Sequence, residues 1–415
     1  MPDAIPDVTN EQKPRLTILI GADTFWPEIN GAASFIARLA AGLVERGHDV
    51  HIAAPSFSNT KLGARTEEHE GQKMTVHRIY SWRWYPHPWL RFSLPWRIKQ
   101  NSAKIIDAVK PDVIHFQSHI IIGRGLTIEG QKRGIRLIGT NHVMPENLME
   151  YTAIIPPFLQ KKAIQMAWNA ADRSFSRAER VTAPTQRAAD YLEQHTSVKN
   201  VLAISCGLDT SQYTPNLSLD KPNLIVFLGR LVVEKQLDKL IRAFAKLDPA
   251  LDARLEFVGG GDQEQALRNL ANSLGLSDRV HFSSYVDETY LRNALQRAKV
   301  FAMPSIAELQ SISTMEAMAS GLPIVGADAM ALPHLVHDGE NGYLFEPGNV
   351  DELAEKLTKV LTLPDDELLA LKKESLKIVQ VHDIQRTLDT FEKLYRGEPV
   401  TVGVGTPVKD KSPRG

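Results

Sequence analysis

The chain has 415 residues, and its 48 Lys and Arg residues nearly balance its 49 Asp and Glu residues. This length predicts two domains of about 200 residues each. The near-neutral charge argues against nucleic acid as a partner, because nucleic-acid binding needs a large basic surface. The one cysteine, Cys206, excludes a disulfide framework and a cysteine-based metal site.

The first 14 residues are polar and predict a flexible leader rather than a signal peptide. The sequence has no continuous apolar run of about 18 residues, so it predicts no membrane-spanning helix. These features favour the cytoplasm, with a peripheral position on the inner face of the membrane left open.

Apolar patterning predicts alternating strands and helices in the first half of the chain. Residues 16–21 (LTILIG) are typical of a buried strand, and the helical spacing of apolar side chains after residue 30 predicts a helix that Gly47 stops. Further strands are predicted at 49–55, 75–80, 111–117, 135–142 and 180–185, with helices near 96–109, 124–133 and 157–171. Repeated strand–helix units predict a parallel sheet that is covered on both faces.

Residues 205–223 have linker composition, and a second strand–helix series follows them. Its strands are predicted at 224–229, 254–261, 279–285, 300–305 and 322–327, and its helices near 235–247, 263–274, 288–298, 312–320, 350–361, 365–379 and 384–396. The fold class is therefore α/β, with two Rossmann-like, doubly wound domains that face each other across a cleft. Ligands of such sheets bind at the carboxyl ends of the strands, so the cleft is the expected active site.

The predicted domains are residues 1–205 on the acceptor side and residues 206–383 on the nucleotide side. The final helix, 384–396, is predicted to pack back on the first domain. Residues 397–415 have little to bury and predict a disordered tail.

Two cations follow the first strand of the second domain. Arg230 lies just past Gly229 at the strand end, and Lys235 lies five residues later at the beginning of a helix. Two cations beside a helix N-terminus form a site for a diphosphate. Solvated surface charge is the alternative that this spacing leaves open.

Two glutamates, Glu308 and Glu316, lie eight residues apart around the start of a helix. Eight residues are a little over two helical turns, so both side chains are expected to project to one side. The backbone N–H groups of residues 309–312 would point into the cleft as a cradle for an anion or a hydroxyl. Carboxylates suit sugar hydroxyls, because each oxygen accepts hydrogen bonds.

Several segments in order resemble a retaining glycosyltransferase of family 4, of the GT-B fold. They are FWPEINGAASFIARLAAGLVERGHDVHIAAP, GRLVVEK, ELQSISTMEAMASGLPIVG and ENGYLFEPGNVDELAEKL, and the resemblance covers residues 16–396. Gln310 makes the chain similar to the subset of lipid and diacylglycerol glycosyl- or mannosyltransferases. Ser311 departs from the family, which commonly has Gly there, and adds a Cβ where the backbone approaches the sugar.

The resemblance implies a role for each matching residue. The implied catalytic residues, which act on the leaving diphosphate or contact the sugar, are Arg230, Lys235, Glu308 and His119. The implied binding residues for the nucleotide sugar are Asn30, Gly31, Gly229, Arg230, Lys235, Tyr285, Val286, Glu308, Leu309, Gln310, Ser311, Ile312 and Glu316. It implies no metal and no cofactor, with the nucleotide sugar as donor substrate and the leaving phosphate assisting the incoming hydroxyl.

Two stretches of the first domain are candidates for the acceptor side. His142 and Glu146 follow the fifth strand, where an ordinary loop is the alternative. Residues 80–100 hold four of the six tryptophans, including Trp82 and Trp84, and residues 71–106 contain no acidic side chain. Aromatic rings and cations together predict contact with an anionic membrane surface. Inward packing of the rings is the alternative, and single-stranded nucleic acid is disfavoured.

The sequence therefore predicts a hexosyltransferase that acts, with retention, on a hydroxyl of a membrane lipid or a polyprenyl carrier. A soluble acceptor, such as a sugar phosphate or a glycan, is the alternative. A nucleotide-sugar-binding protein without turnover is a third possibility, which the set of charged residues argues against.

Overall fold

The computed structural model describes residues 14–28, 30–58, 60–83, 91–143, 145, 157–284 and 286–400. The predictions for Trp84, Glu146, Tyr285, the leader up to residue 13 and the tail from residue 401 lie outside the described residues. No helix within these ranges combines the length and the apolar composition needed to cross a membrane.

The first sheet has eight strands within the described residues. They are β1 (Thr17–Gly21), β2 (Asp49–Pro55), β3 (Gly63–His69), β4 (Gln72–Ile79), β7 (Val113–Phe116), β8 (Arg136–Thr140), β9 (Arg180–Ala183) and β10 (Leu202–Ala203), in the order β10-β9-β8-β7-β1-β2-β4-β3. The pairs are parallel except β3–β4, which is antiparallel. A separate hairpin pairs β5 (Ser81–Arg83) with β6 (Arg91–Ser93).

Helices cover both faces of this sheet. They are α1 (Gly31–Glu45), α2 (Ile98–Val109), α3 (Ile122–Lys132), α4 (Pro157–Phe175) and α5 (Gln186–His195). Alternate residues of β1 point to opposite faces, so Ile18 and Ile20 pack in the cluster that contains α1, whereas Leu19 packs with α2 and α3.

The second sheet has six strands within the described residues, and all of its pairs are parallel. They are β11 (Leu224–Leu228), β12 (Arg254–Val258), β13 (Val280–Phe282), β14 (Val300–Met303), β15 (Ile324–Ala327) and β16 (Gly342–Phe345), in the order β13-β12-β11-β14-β15-β16. The helices that follow these strands are α6 (Leu237–Phe244), α7 (Glu264–Ser273), α8 (Glu288–Arg297), α9 (Ile312–Ala319), α10 (Leu332–Leu335), α11 (Val350–Leu361) and α12 (Asp365–Val379).

The last helix, α13 (Ile384–Arg396), returns to the first sheet. Leu388 and Phe391 are buried in the same cluster as α1, and Arg46 donates to Glu392 at 2.5 Å. The chain therefore passes between the two sheets twice. The passages run side by side, because the N–H of Leu208 donates to the carbonyl of His382 at 2.8 Å.

The prediction of an entirely parallel first sheet is wrong at its edge. β3 is largely exposed and reads GARTEEH, so it lacks the apolar pattern by which the other strands were predicted. The elements α5, β10 and β16 and the β5–β6 hairpin were also not predicted.

Candidate active site

Loops at the carboxyl ends of the two sheets contact each other. The Thr185 hydroxyl, which follows β9, donates to the carbonyl of Leu309, which precedes α9, at 3.1 Å. The Gln310 side chain accepts from the Cys206 N–H at 2.7 Å and donates to the Ser205 hydroxyl at 2.8 Å. Ligands of doubly wound sheets bind at this end of the strands, so the residues around these contacts form the candidate site.

Lys235 and Glu308 form an ion pair in this region, with the Lys235 ammonium donating to a Glu308 carboxylate oxygen. Both side chains are largely buried. The segments that carry them are held together by the Ile306 N–H, which donates to the Glu234 carbonyl at 3.1 Å. Arg230 lies nearby and is more exposed, with 43% of its side chain accessible and a contact of 3.8 Å to Glu234. The predicted cations and the first predicted glutamate are thus brought together.

Gly261 packs closely against the backbone of the loop that carries Arg230. A Cβ on Gly261 would lie 2.2 Å from the Leu231 carbonyl oxygen, so a larger residue there would displace the loop. Loop 229–231 therefore depends on close backbone packing as well as on its own residues.

Glu316 has partners from both sides of the cleft. The Tyr213 hydroxyl donates to its carboxylate at 3.0 Å, and Arg38 of α1 lies 3.7 Å from the same oxygen. Burial raises the pKa of Glu316, and the Arg38 charge and the Tyr213 hydrogen bond oppose that rise. The two glutamates therefore have separate partners, Lys235 for Glu308 and the Arg38–Tyr213 pair for Glu316.

The start of α9 supplies backbone donors beside these side chains. Its first hydrogen bond runs from the Met315 N–H to the Ser311 carbonyl at 3.2 Å, and the preceding N–H groups remain as donors, as at any helix start. Ser311 is buried with φ −89° and bonds Thr314 at 2.8 Å, so its Cβ is accommodated without backbone strain. Ile312 packs against the apolar clusters of both domains. Val286 packs against the cluster of the second domain.

The loop between β1 and α1 carries a buried carboxyl group. Asn30 caps α1 through the Ala33 N–H at 2.9 Å and donates to Thr24 at 2.7 Å, and Thr24 donates to Glu28 at 2.6 Å. Glu28 is 9% exposed, and its Oε1 atom has no hydrogen-bond partner among the described residues. A Cβ on the neighbouring Gly31 would meet no atom within 4 Å, so the backbone there borders open space.

The electrostatics of Glu28 connect this loop with the second sheet. Burial raises the pKa of Glu28 to about 7, while the Thr24 hydrogen bond and the charges of Arg91 and Arg230 oppose the rise. Arg230 belongs to the opposite side of the cleft. Glu28 therefore lies within electrostatic reach of the cation that is predicted to bind the diphosphate.

His119 lies in the loop between β7 and α3. It is 3% exposed, and its Nδ1 atom has no hydrogen-bond partner in the described part of the chain. Burial lowers the pKa of His119 to about 4, so the ring is neutral at pH 7. The loop is fixed by the partly buried carboxylate of Asp23, which accepts from the Ile122 N–H at 2.7 Å and also from Ser118.

The predicted acceptor residues have different environments. His142 contacts the Gln117 side chain at 2.7 Å and packs on Phe35 with ring centroids 5.2 Å apart. Burial lowers the pKa of His142 to about 4. Trp82, in contrast, is 57% exposed on β5, and its ring N–H donates to the Tyr80 hydroxyl at 2.7 Å. Inward packing of the rings therefore does not hold for Trp82.

Sequence reasoning missed Glu28, Arg38 and Tyr213. Arg38 gave one usable signal, because it is the only charged residue in the apolar segment 31–44. The other two have no comparable signal, since their relevance comes from contacts between distant parts of the chain.

Comparison with known proteins covers both halves of the chain. Residues 29–212 match the family model described as Glycosyltransferase Family 4, and residues 211–377 match the one described as Glycosyl transferases group 1. The MMP alpha-(1->4)-mannosyltransferase of Mycolicibacterium hassiacum is 26% identical over 80% of this chain and 86% of that protein.

Two further proteins extend the comparison. Sulfoquinovosyl transferase SQD2 of Arabidopsis thaliana is 25% identical over 86% of this chain and 68% of that protein. The crystal structure of Anabaena HepE in complex with UDP and glucose superposes with a TM-score of 0.73, at 20% identity, over 92% of this chain and 100% of that chain. At this level of identity the superposition shows a shared fold.

Proposed function

Because the chain belongs to the glycosyltransferases, with a Family 4 domain followed by a group 1 domain, we propose a specific reaction for it. It transfers a hexose from a nucleoside diphosphate sugar, with retention of configuration, to a hydroxyl of a membrane lipid or lipid-linked acceptor. The enzyme works at the inner face of the membrane, to which it binds peripherally through residues 80–100.

The observation that carries the donor side is the grouping of Arg230, Lys235 and Glu308 beside the start of α9. Two cations and a set of backbone donors suit a diphosphate, and the buried carboxylate suits a sugar hydroxyl. The presence of UDP and glucose in the HepE structure supports a nucleotide-sugar donor.

Donor binding would break one existing ion pair and leave a second one in place. When the diphosphate engages Lys235, Glu308 is released to accept from a hydroxyl of the donor sugar. Glu316 accepts from the ribose hydroxyls while Arg38 and Tyr213 keep its other lone pairs occupied. No metal is part of this proposal, because Arg230, Lys235 and the helix N-terminus act on the charge that develops on the leaving group.

The transfer itself takes place on one face of the sugar. The bond between C1 and the phosphate oxygen breaks, the acceptor oxygen bonds to C1, and the acceptor proton passes to the departing phosphate. The neutral ring of His119, with its unpaired Nδ1, hydrogen-bonds the donor sugar and fixes its orientation. Glu28 and Asn30 close the site from the first domain.

Exposed aromatic and apolar side chains of the first domain support the proposal of a lipid acceptor. Trp82 and Trp96 are 57% and 71% exposed, and Phe158 and Met166 on α4 are 80% and 62% exposed. Exposed rings among cations are typical of proteins that bind membrane interfaces. A soluble acceptor would leave this surface without a role.

The donor is tested by a thermal-shift panel of UDP, GDP, ADP and their sugars, since a ligand that binds the folded state raises the melting temperature. Transfer is then measured with the preferred donor and vesicles that contain diacylglycerol, and the anomeric configuration of the product is read by NMR. Arg230→Ala and Glu316→Ala should each lower kcat/KM by about a hundredfold or more. Arg254→Ala is the matched control, because Arg254 is the first residue of β12 and lies away from the carboxyl ends of the strands, where the candidate site is.

Full transfer by both the Arg230→Ala and the Glu316→Ala variants would refute the assignment of the donor site. Equal activity on a soluble glycoside, with no sedimentation of the protein with anionic vesicles, would refute the lipid acceptor. The combination of Trp82→Ala and Trp84→Ala should weaken sedimentation and leave nucleotide binding intact.

A further inference from the structure

A second group of cations lines a cavity on the first domain, between α2, α3 and α4. The cavity has a volume of about 270 Å³, and its lining residues are Lys99, Arg124, Ile128, Arg173, Ser174 and Arg177. None of these residues belongs to the candidate active site. Three cations from three helices and Arg177, which follows α4, thus surround one space, and no Asp or Glu is among the described residues that line it.

The four cations have no ion-pair partner in the part of the chain that the structure describes. Other arginines of the same domain do have partners, and Arg133, which follows the last residue of α3, bonds both Asp107 and Glu129 at 2.9 Å. Arg173 lies in the last turn of α4 and Arg177 lies two residues beyond its end, and both line the cavity, so their like charges repel each other. An anion in the cavity would relieve this repulsion.

Helix dipoles explain only half of this arrangement. Arg173 lies in the last turn of α4 and Arg177 just beyond it, where cations are favourable, and Arg177 donates to the Arg173 carbonyl. Lys99 and Arg124, however, lie in the first turns of α2 and α3, where the helix dipole disfavours cations. Their own helices do not account for these two charges.

The two helix starts lie close together. A Cβ on Gly125 of α3 would lie 2.5 Å from the Ser102 hydroxyl and 2.7 Å from a side-chain carbon of Ile98 at the start of α2. The first turn of α2 has no side-chain cap, so its N–H groups remain as donors beside Lys99. Uncapped helix donors and cations together favour a bound anion.

We propose that this cavity binds a phosphate group, as a monoester or a diester, held by the two arginines at the end of α4 and by Lys99 and Arg124. Arginine forks match phosphate oxygens in pairs, and Lys99 adds a compact charge. The cavity is slightly smaller than ligand pockets of about 300–1,000 Å³, which suits a small anionic group rather than a whole nucleotide sugar. Trp96, which is 71% exposed, precedes α2 and the cavity residue Lys99 in the chain.

The phosphate can belong to a lipid headgroup or to a soluble molecule, and two probes distinguish these sources. One is inorganic phosphate, titrated by calorimetry. The other is a pair of vesicles, phosphatidylcholine alone and phosphatidylcholine with phosphatidic acid, tested by sedimentation. Neither measurement needs a sugar donor or turnover, so a failure here is separable from a failure of the proposed transfer reaction.

The test variant is Lys99→Gln combined with Arg173→Gln, since both side chains are exposed and their loss leaves the core intact. The control is Lys73→Gln combined with Arg180→Gln, two exposed cations of the same domain that do not line the cavity. Both variants change the net charge equally. Arg124→Gln is a third, single variant for a half-buried member of the site.

A lipid source predicts that the cavity variant binds phosphatidic acid vesicles on the order of thirty-fold more weakly, from two cations near an anionic surface. The control should keep binding within about threefold. A soluble source predicts that only the cavity variants lose inorganic phosphate binding, with equal sedimentation for all proteins. The proposal is overturned if the cavity and control variants bind both probes equally.

Discussion

Glu28→Gln should change the pH dependence of stability in a defined direction. Burial raises the pKa of Glu28 from 4.5 to about 7 in the folded protein. Between these values the unfolded chain has lost the proton and the folded chain still holds it, so the free energy of unfolding falls as pH rises. At about 1.4 kcal/mol for each tenfold step, the wild-type protein loses about 3 kcal/mol between pH 4 and pH 8 at this residue.

Glutamine has the shape of the protonated carboxyl and does not titrate. The Glu28→Gln variant should therefore gain about 3 kcal/mol relative to the wild-type protein as pH rises from 4 to 8. Urea unfolding at several pH values, followed by circular dichroism, measures this difference. Glu68→Gln, which removes the carboxylate of an exposed glutamate on β3, is the matched control.

Arg230 provides an internal check on the same reasoning. Its charge opposes the rise in the Glu28 pKa, so Arg230→Ala should move the pH dependence to higher pH. A stability difference between the wild-type protein and the Glu28→Gln variant that is the same at pH 4 and pH 8 would refute the burial of an ionisable Glu28.

Three further substitutions test the site. Lys235→Ala leaves the buried Glu308 without its cation, and we expect a loss of about 3 kcal/mol of stability by urea unfolding together with weaker nucleoside diphosphate binding by calorimetry; unchanged binding would contradict the proposed role. Arg38→Ala removes a charge that lowers the pKa of Glu316, so Glu316 should become protonated at a higher pH than in the wild-type protein. Because a protonated Glu316 accepts fewer hydrogen bonds, the fall of nucleotide affinity with decreasing pH should begin at a higher pH in this variant, and Arg38→Lys should restore part of the difference. A pH-independent loss would argue against this coupling. Gly123→Ala places a Cβ 1.7 Å from a backbone carbonyl oxygen of the loop that carries the predicted catalytic histidine, and we expect loss of transfer with a lower melting temperature; normal activity would show that the loop tolerates displacement.

The sequence predicted the fold closely wherever apolar patterning was strong. The two facing Rossmann-like domains and the glycosyltransferase class are confirmed. The antiparallel β3 was missed because its exposed, charged sequence carries no apolar period, and β16 was missed because GYLF is short and follows a turn. Short elements at the edges of sheets are placed by their neighbours rather than by their own composition.

The candidate site was predictable to the extent that its residues lie in compact motifs. Arg230, Lys235, Glu308 and Glu316 occur within segments that could be compared as a pattern. The partners that fix their charges, above all Arg38 and Tyr213, come from other elements, and only the folded arrangement brings them to Glu316. The assignment of catalytic roles stays a prediction until the variants are measured.

The return of α13 to the first sheet has a consequence for biosynthesis. Leu388 and Phe391 belong to a core most of whose other members lie before residue 207 and emerge from the ribosome much earlier. The first domain to be synthesised is thus the last to be completed. The part of α1 that packs on α13 stays exposed while the entire second domain is made. A nonsense mutation just before residue 384 would therefore damage the distant N-terminal domain and leave the core of its own domain whole.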